Sequence, residues 1–174
     1  MWLTDFEKLT GKVVITSKDL AGNVEILVED HNLIVLNGRN LLANSLVNGN
    51  SNIINTIAFG TGGTVSGSPS QVLAVQPTDT SVAAPINNLV INTDFMLSID
   101  SSAVNPTSLS SSETPQLVYN ILIPEITALN GQGINEIALM LNTTPTPTAF
   151  SIKKFATITK SSSISVSISW TLFF

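Results

Sequence analysis

Residues 163–172 read Ser-Ile-Ser-Val-Ser-Ile-Ser-Trp-Thr-Leu, a strict alternation of small polar and apolar side chains. Successive side chains of a β-strand point to opposite faces of the sheet, so every apolar residue of this stretch falls on one face. The pattern predicts a half-buried strand whose inner face carries Ile164, Val166, Ile168, Trp170 and Leu172. Because Trp170 shares its face with aliphatic residues, the pattern favours a core position over a platform that stacks on a sugar ring.

Further stretches with strand-like patterns recur along the chain. Residues 13–15 and 24–28 flank an Asp-Leu-Ala-Gly-Asn turn at 19–23, which predicts a hairpin with an acidic, solvated outer face. Seven or eight strands in 174 residues predict an all-β fold, an antiparallel and jelly-roll-like β-sandwich that forms one domain over residues 1–174. The other predicted strands lie at 52–59, 88–99, 116–126, 134–141 and 149–158.

Three irregular features complete the predicted fold. A single short helix is predicted from Asn37, its N-cap, to Gly49. The apolar phase of 149–158 changes at Lys153 and Lys154, which predicts a β-bulge at the two lysines. Residues 60–87 and 143–148 are rich in Gly, Ser, Thr and Pro and are predicted to be long surface loops.

The composition excludes several classes of protein. There is no cysteine and one histidine, which argues against disulfide scaffolds, thiolate metal sites and iron-sulfur clusters. The net charge is −5 and no Lys or Arg occurs between Arg39 and Lys153, which argues against nucleic-acid binding. The longest apolar runs are about five residues and the N-terminus is acidic, so neither a membrane helix nor a secretory signal is expected. With 43% hydrophobic and only 11% charged residues, the chain is expected to bury surface against copies of itself or a partner.

Candidate catalytic groups are few and poorly patterned. His31 has no Gly-x-Ser-x-Gly elbow to accompany it, and the glycines of 60–64 lack the Gly-Lys-Ser/Thr ending of a phosphate loop. We therefore expect a protein that is not an enzyme and that binds no metal or cofactor. Four carboxylates would be the candidates for glycoside hydrolysis, although their spacing indicates nothing specific: Asp94, Asp100, Glu125 and Glu136.

Six short segments occur in an order that resembles a family of small structural proteins of tailed bacteriophage virions. They are HNLIVLNGRNLL at 31–42, IAFGTG at 57–62, TDT at 78–80, INEIAL at 134–139, KFATITK at 154–160 and ISWTLF at 168–173. The chain departs from the family pattern at Ala138, where a glycine is expected. The resemblance implies a virion component of the head or tail, made in the host cytoplasm.

Two functions remain open at this point. The first is a capsid decoration or cement subunit that binds copies of itself and other virion proteins, such as the major capsid or tail proteins. The second is a tail, baseplate or fibre-associated module that recognises a receptor on the host surface. The loops at 60–87 and 143–148 contain no Phe, Tyr or Trp, which weakens the second function for a glycan receptor.

The predicted fold and function assign structural or interface roles to particular residues. Arg39 is expected to pair with Glu136 or Asp79 and so fix the helix against the sheet, the alternative being an exposed arginine. The N-terminal segment 1–10 and the loop 60–87 are expected to be contact arms. The interface residues expected within the loops are Thr61, Gly62, Gly63, Thr64, Pro145 and Pro147.

Overall fold

The computed structural model describes residues 9–48, 54–65, 71–90, 96–99, 116–125, 129–141 and 148–173. These residues form eleven strands and one helix. In chain order the elements are β1 Thr10–Asp19, β2 Val24–Ile34, α1 Leu36–Asn48, β3 Ile54–Gly60, β4 Thr64–Val65, β5 Gln71–Val72, β6 Pro85–Val90, β7 Met96–Ile99, β8 Gln116–Ile123, β9 Gly133–Leu141, β10 Thr148–Thr159 and β11 Ile164–Phe173.

Nine of the strands form one antiparallel sheet in the order β6-β3-β9-β10-β2-β1-β11-β8-β7. The sheet curls on itself at β2, which pairs with β1 along most of its length but with β10 only through Leu33 and Ile34. Residues from both halves, such as Ile15 and Trp170 from one and Phe59 and Ile137 from the other, share one apolar core. The predicted all-β antiparallel sandwich with one short helix is confirmed, with more strands than predicted.

The C-terminal strand behaves as its alternation predicts. Trp170 is completely buried, and Val166, Ile168 and Leu172 are buried beside it, while Ile164 is half-buried. Ser167 is exposed on the opposite face. β11 lies between β1 and β8, with Trp170 opposite Val13 and Tyr119, so both of its edges are paired, and its inner face packs in the shared core.

The predicted strand at 88–99 is wrong, because this region contains two strands at opposite edges of the sheet. β6 pairs with β3, whereas β7 pairs with β8. Local alternation cannot distinguish one long strand from two short ones, since it carries no information on which neighbour each part pairs with. Residues 91–95, between the two strands, lie outside the described residues.

The helix and the irregular strand agree closely with prediction. α1 begins at Leu36 and ends one residue before Gly49, so Asn37 lies inside the helix and is not its N-cap; the Arg39 N–H donates to Val35 O, which precedes the helix. Gly38 lies so close to the Phe150 carbonyl that a Cβ at this position would overlap it, which explains a glycine in the first turn. The register of β10 against β9 shifts between Lys154 and Ile158, next to the lysines at which a bulge was predicted, and also between Ala149 and Ser151.

A second, smaller core covers the outer face of the half-sheet that contains β9. All residues of β9 after Gly133 are buried, which an ordinary half-exposed strand would not permit. The side chains of this core are Val35, Ala58, Val82, Ala138, Met140, Ala149 and Ile152, with Val75 partly buried against them. Residues 71–84 contribute Val75 and Val82, so this segment covers the sheet.

Candidate functional site

The glycine-rich loop at 60–64 is held by two neighbouring residues of β9, Asn135 and Glu136. Glu136 Oε1 accepts hydrogen bonds from the backbone N–H of Gly62 at 2.8 Å and of Ala84 at 2.9 Å. Asn135 Oδ1 accepts a bond from the N–H of Gly63 at 2.7 Å. Successive side chains of a strand point to opposite faces of the sheet, so Asn135 and Glu136 bind the loop from opposite faces. The IAFGTG and INEIAL segments that carry the family resemblance therefore contact each other.

Glu136 is fully buried, and its two carboxylate oxygens differ in their hydrogen bonds. Its side chain has no exposed surface, and Oε2 makes no hydrogen bond to the described residues. A Cβ at Gly60 would overlap Oε1, so the close approach of loop and carboxylate requires a glycine there. Burying a charge is costly unless hydrogen bonds compensate it, and here two amides donate to a single oxygen. The geometry is that of an internal clamp that holds chain segments together.

Asn135 extends the clamp toward β10. Its Nδ2 donates to Thr64 Oγ1 at 2.9 Å and to Thr157 Oγ1 at 3.2 Å. One amide side chain thus connects the loop, β9 and β10. The sequence analysis did not single out Asn135, although its place beside Glu136 in the INEIAL segment was the available signal.

The segment 71–84 is fixed to the sheet by backbone hydrogen bonds at intervals along its length. Ala84 O accepts from Thr61 N, Thr80 O accepts from Ala149 N, and Pro77 O accepts from Leu36 N. Lys154 Nζ binds Asp79 Oδ2 at 3.2 Å, and the Lys154 side chain is almost completely buried. Residues 71–84 therefore lie against the sheet, and their role as part of a contact arm stays a prediction.

The interface residues expected from sequence have different positions in the structure. Thr61 is exposed, Gly62 and Thr64 are half-buried, and Gly63 is buried against the Asn135 backbone. Pro145 and Pro147, like residues 1–8, lie outside the described residues.

The expected ion pair of Arg39 is wrong. Arg39 is exposed, and its Nε donates to Ile34 O at 3.1 Å, an acceptor at the end of β2. Asp79 binds Lys154 instead, and Glu136 is occupied by backbone amides. The Glu136 carboxylate is buried and already accepts hydrogen bonds from two backbone N–H groups, so a guanidinium at the surface does not reach it. Both donors are distant from Glu136 in sequence, so the sequence pattern did not indicate them.

Lys160 is a buried charged residue that sequence reasoning missed. Only 2% of its surface is exposed, and its Nζ donates to Glu125 O at 2.7 Å and to Asn130 Oδ1 at 2.6 Å. Burial lowers the pKa of Lys160, while the charge of Glu125 acts in the opposite direction. Because both acceptors lie 30 or more residues earlier in the chain, no local pattern could have indicated them.

An open groove with a volume of about 690 Å³ lies where β2 leaves β10. One wall is β2, the other is β10, and residues 72–75 form the rim. Lys153 crosses the groove, with its Nζ 2.5 Å from Asp30 Oδ2 and 3.0 Å from His31 O. The hydrogen bond from Lys153, together with that from the His31 N–H, holds the pKa of Asp30 below its usual value.

The surface carries an unusual number of exposed aliphatic side chains. Three of them lie on the β1–β2 hairpin, where Leu20 is 79% exposed, Val24 64% and Ile26 59%. Others lie on or beside β4, β5 and α1 and on β8, which is in the same half of the sheet as the hairpin. The remaining exposed large hydrophobic residues are Leu36, Val47, Val65, Val72, Leu73 and Leu122.

Of the groups considered for catalysis, the structure describes His31, Glu125 and Glu136, and no hydrogen bond joins the side chains of these three. His31 is exposed, with Nδ1 3.3 Å from Gly11 O, and Glu125 uses its backbone oxygen to bind Lys160. Asp94 and Asp100 lie outside the described residues. Within the described ranges, no three His, Cys, Asp or Glu side chains gather into a possible metal site.

Across the part of the chain that the structure describes, no helix has the length and apolar character needed to cross a membrane. Searches of protein-family models, curated proteins and solved structures found no match to this chain.

Proposed function

We propose that this chain is a non-enzymatic structural subunit of a tailed bacteriophage particle, a decoration or cement protein that stabilises the capsid through subunit contacts. The observation that carries the proposal is the exposed aliphatic surface, above all Leu20, Val24 and Ile26 on one hairpin. A chain with only 11% charged residues has little charge to keep such a surface soluble. Burial against neighbouring subunits removes this surface from water.

The contacts between the segments of the family resemblance support the same proposal. Glu136 binds the amide of Gly62 and Asn135 binds that of Gly63, so two of the six segments, IAFGTG and INEIAL, contact each other inside the domain. The order of the six segments is what the resemblance to virion proteins rests on. The partners are then copies of the chain and other virion proteins, and the place of action is the virion.

The test is to locate and count the protein on its native particle. Purified virions are examined by mass spectrometry for copy number and by electron microscopy with a specific antibody for position. We expect many copies over the head surface. Absence from purified virions would overturn the proposal, and a few copies confined to the tail or baseplate would favour the receptor-binding module.

A second measurement, on the isolated chain, tests whether the exposed aliphatic residues of the β1–β2 hairpin form a contact surface. Sedimentation of the purified protein is compared with that of a variant carrying Val24→Lys and Ile26→Lys, with Gln132→Lys and Thr159→Lys, two exposed positions at the end of the β9–β10 pair, as a control of equal charge. We expect the first variant to associate less than the control. Equal association of both variants would show that the exposed hairpin is not a contact surface.

A further inference from the structure

The side chains of Lys160 and Asn130 meet where two connections between the halves of the sheet come together. Asn130 belongs to the chain between β8 and β9, and Lys160 to the chain between β10 and β11. β8 and β11 lie in one half of the curled sheet and β9 and β10 in the other, so both connections pass between the halves. Lys160 Nζ lies 2.6 Å from Asn130 Oδ1. A contact between these two side chains therefore joins both connections.

The turn that carries Asn130 is fixed against the backbone of Lys160. Gln132 N donates to Leu129 O at 3.1 Å, which closes the turn. Gly131 has a φ of 78°, the conformation that a type II turn requires at its third residue. The Gly131 N–H donates to Lys160 O at 2.8 Å. Asn130 is therefore held beside Lys160 by hydrogen bonds of the backbone as well as by its own side chain.

Hydrogen bonds also orient the two side chains toward each other. Asn130 Nδ2 donates to Glu125 O at 2.9 Å, which leaves Oδ1 facing Lys160. Lys160 Nζ donates to the same Glu125 O at 2.7 Å. Because a C=O bond is about 1.2 Å long, the contact with Oδ1 places Nζ about 3–4 Å from Asn130 Cγ. This range includes the separation of about 3–3.5 Å from which bound groups react.

The surroundings of Lys160 favour the neutral form of its amine, which is the nucleophilic form. Its acceptors are neutral oxygens, those of Glu125, Asn130 and Ser161, and among the described residues no carboxylate forms an ion pair with it. A cavity of about 20 Å³ beside Lys160 is lined mainly by apolar side chains, such as Phe155. Burial lowers the pKa of Lys160, against the opposing effect of the Glu125 charge.

We propose that Lys160 and Asn130 form an isopeptide bond within one chain. Lys160 Nζ bonds to Asn130 Cγ, the Cγ–Nδ2 bond breaks, and two protons pass from Nζ to Nδ2. The ammonium group of the lysine and the side-chain amide thus become a secondary amide and a free ammonium ion, so the reaction needs no oxidant and no cofactor. The bond closes residues 130–160 into a covalent loop that stays closed when the strands separate.

The backbone nitrogen of Gly131 is a second nucleophile beside Asn130 Cγ. Its attack would also release ammonia, and it would form a succinimide that does not involve Lys160. In the structure the Gly131 N–H is engaged by Lys160 O, whereas Lys160 Nζ contacts the amide itself. The geometry therefore favours the lysine, and a substitution of Lys160 distinguishes the two reactions.

Mass spectrometry of the purified full chain after denaturation tests the proposal. We expect a mass about 17 Da below that of the sequence, because ammonia is lost when the lysine displaces the amide nitrogen. Proteolysis should release a branched peptide in which Lys160 is joined to Asn130. Lys160→Arg and Asn130→Ala should keep the full mass. The matched control Lys18→Arg, at an exposed lysine, should show the same loss as the natural chain.

The branched peptide is measured on the natural chain, so the test does not depend on whether the variants fold. A full mass for natural protein that circular dichroism shows to be folded would overturn the proposal. Loss of ammonia without the branched peptide, or a loss that persists in Lys160→Arg, would overturn it as well, because the product is then the succinimide. The bond forms within one chain, so its presence is independent of whether the protein is found on virions.

Discussion

Replacing Glu136 by alanine tests whether the buried clamp holds the loop and the cover to the sheet. The substitution leaves the half-buried backbone N–H groups of Gly62 and Ala84 without their acceptor, so water can satisfy them in part. Each unsatisfied buried amide costs about 1–3 kcal/mol, which gives an upper range of about 2–6 kcal/mol for the pair. Removing a carboxylate whose Oε2 has no described partner offsets part of this cost. We expect a net loss of about 2–4 kcal/mol in the free energy of unfolding.

The assay is urea unfolding followed by circular dichroism, combined with hydrogen exchange at individual amides. Glu136→Gln retains an oxygen acceptor without the charge, so it should lose about 1–2 kcal/mol, because neutral hydrogen bonds are weaker. Glu25→Ala removes an exposed acid from β2 and should change stability by less than about 0.5 kcal/mol. The amides of Gly62 and Ala84 should exchange faster in Glu136→Ala. If its unfolding midpoint matches that of Glu25→Ala and both amides keep their protection, the clamp does not stabilise the fold.

Three further predictions follow from buried or bridging side chains. Trp170→Ala should lose about 3–5 kcal/mol through the cavity that it leaves, and a denaturation midpoint close to that of Trp170→Phe would contradict this. Burial raises the pKa of Tyr119 from 10.0 to about 12, so its contribution is complete below pH 10 and is lost as the pH rises through about 12. Ionisation of the buried phenol thus costs the fold up to about 2.7 kcal/mol at high pH, a loss that Tyr119→Phe should remove, and parallel alkaline unfolding curves of the two proteins would refute the assignment. Arg39→Ala should lose only about 0.5–1.5 kcal/mol, since one hydrogen bond to Ile34 O is removed, and a much larger loss in thermal unfolding would show that Arg39 has another structural role.

Local sequence pattern predicted those parts of the fold that depend on neighbouring residues. The alternation at 163–172 placed Trp170 in the core, and the helix lies within two residues of its predicted bounds, although Asn37 is inside it and is not the N-cap. The same reasoning merged β6 and β7 into one strand, because alternation does not identify pairing partners. Local sequence pattern therefore fails to predict the fold where the fold depends on which strands pair with each other.

The candidate site depended on contacts that are distant in sequence. Glu136 meets Gly62 across 74 residues and Ala84 across 52, so nothing near Glu136 indicated that amides, and not Arg39, would occupy its carboxylate. Lys160 was missed for the same reason, since its partners come from the segment around Asn130. The groove arises where β2 separates from β10, a divergence that no single stretch of sequence encodes.

The pairing of β1 with β11 determines how the domain would respond to mechanical tension. Thr10 lies opposite Phe173, and the ladder continues without a shift to Asp19 opposite Ile164. Tension applied at Thr10 and Phe173 pulls on the same end of this ladder and breaks one residue pair at a time, like the opening of a zipper. Tension applied between Thr10 and Ile164 would instead load many hydrogen bonds at once in shear. A subunit held at both ends of its chain would thus open at low force, whereas attachment along its side surfaces would leave the ladder unloaded.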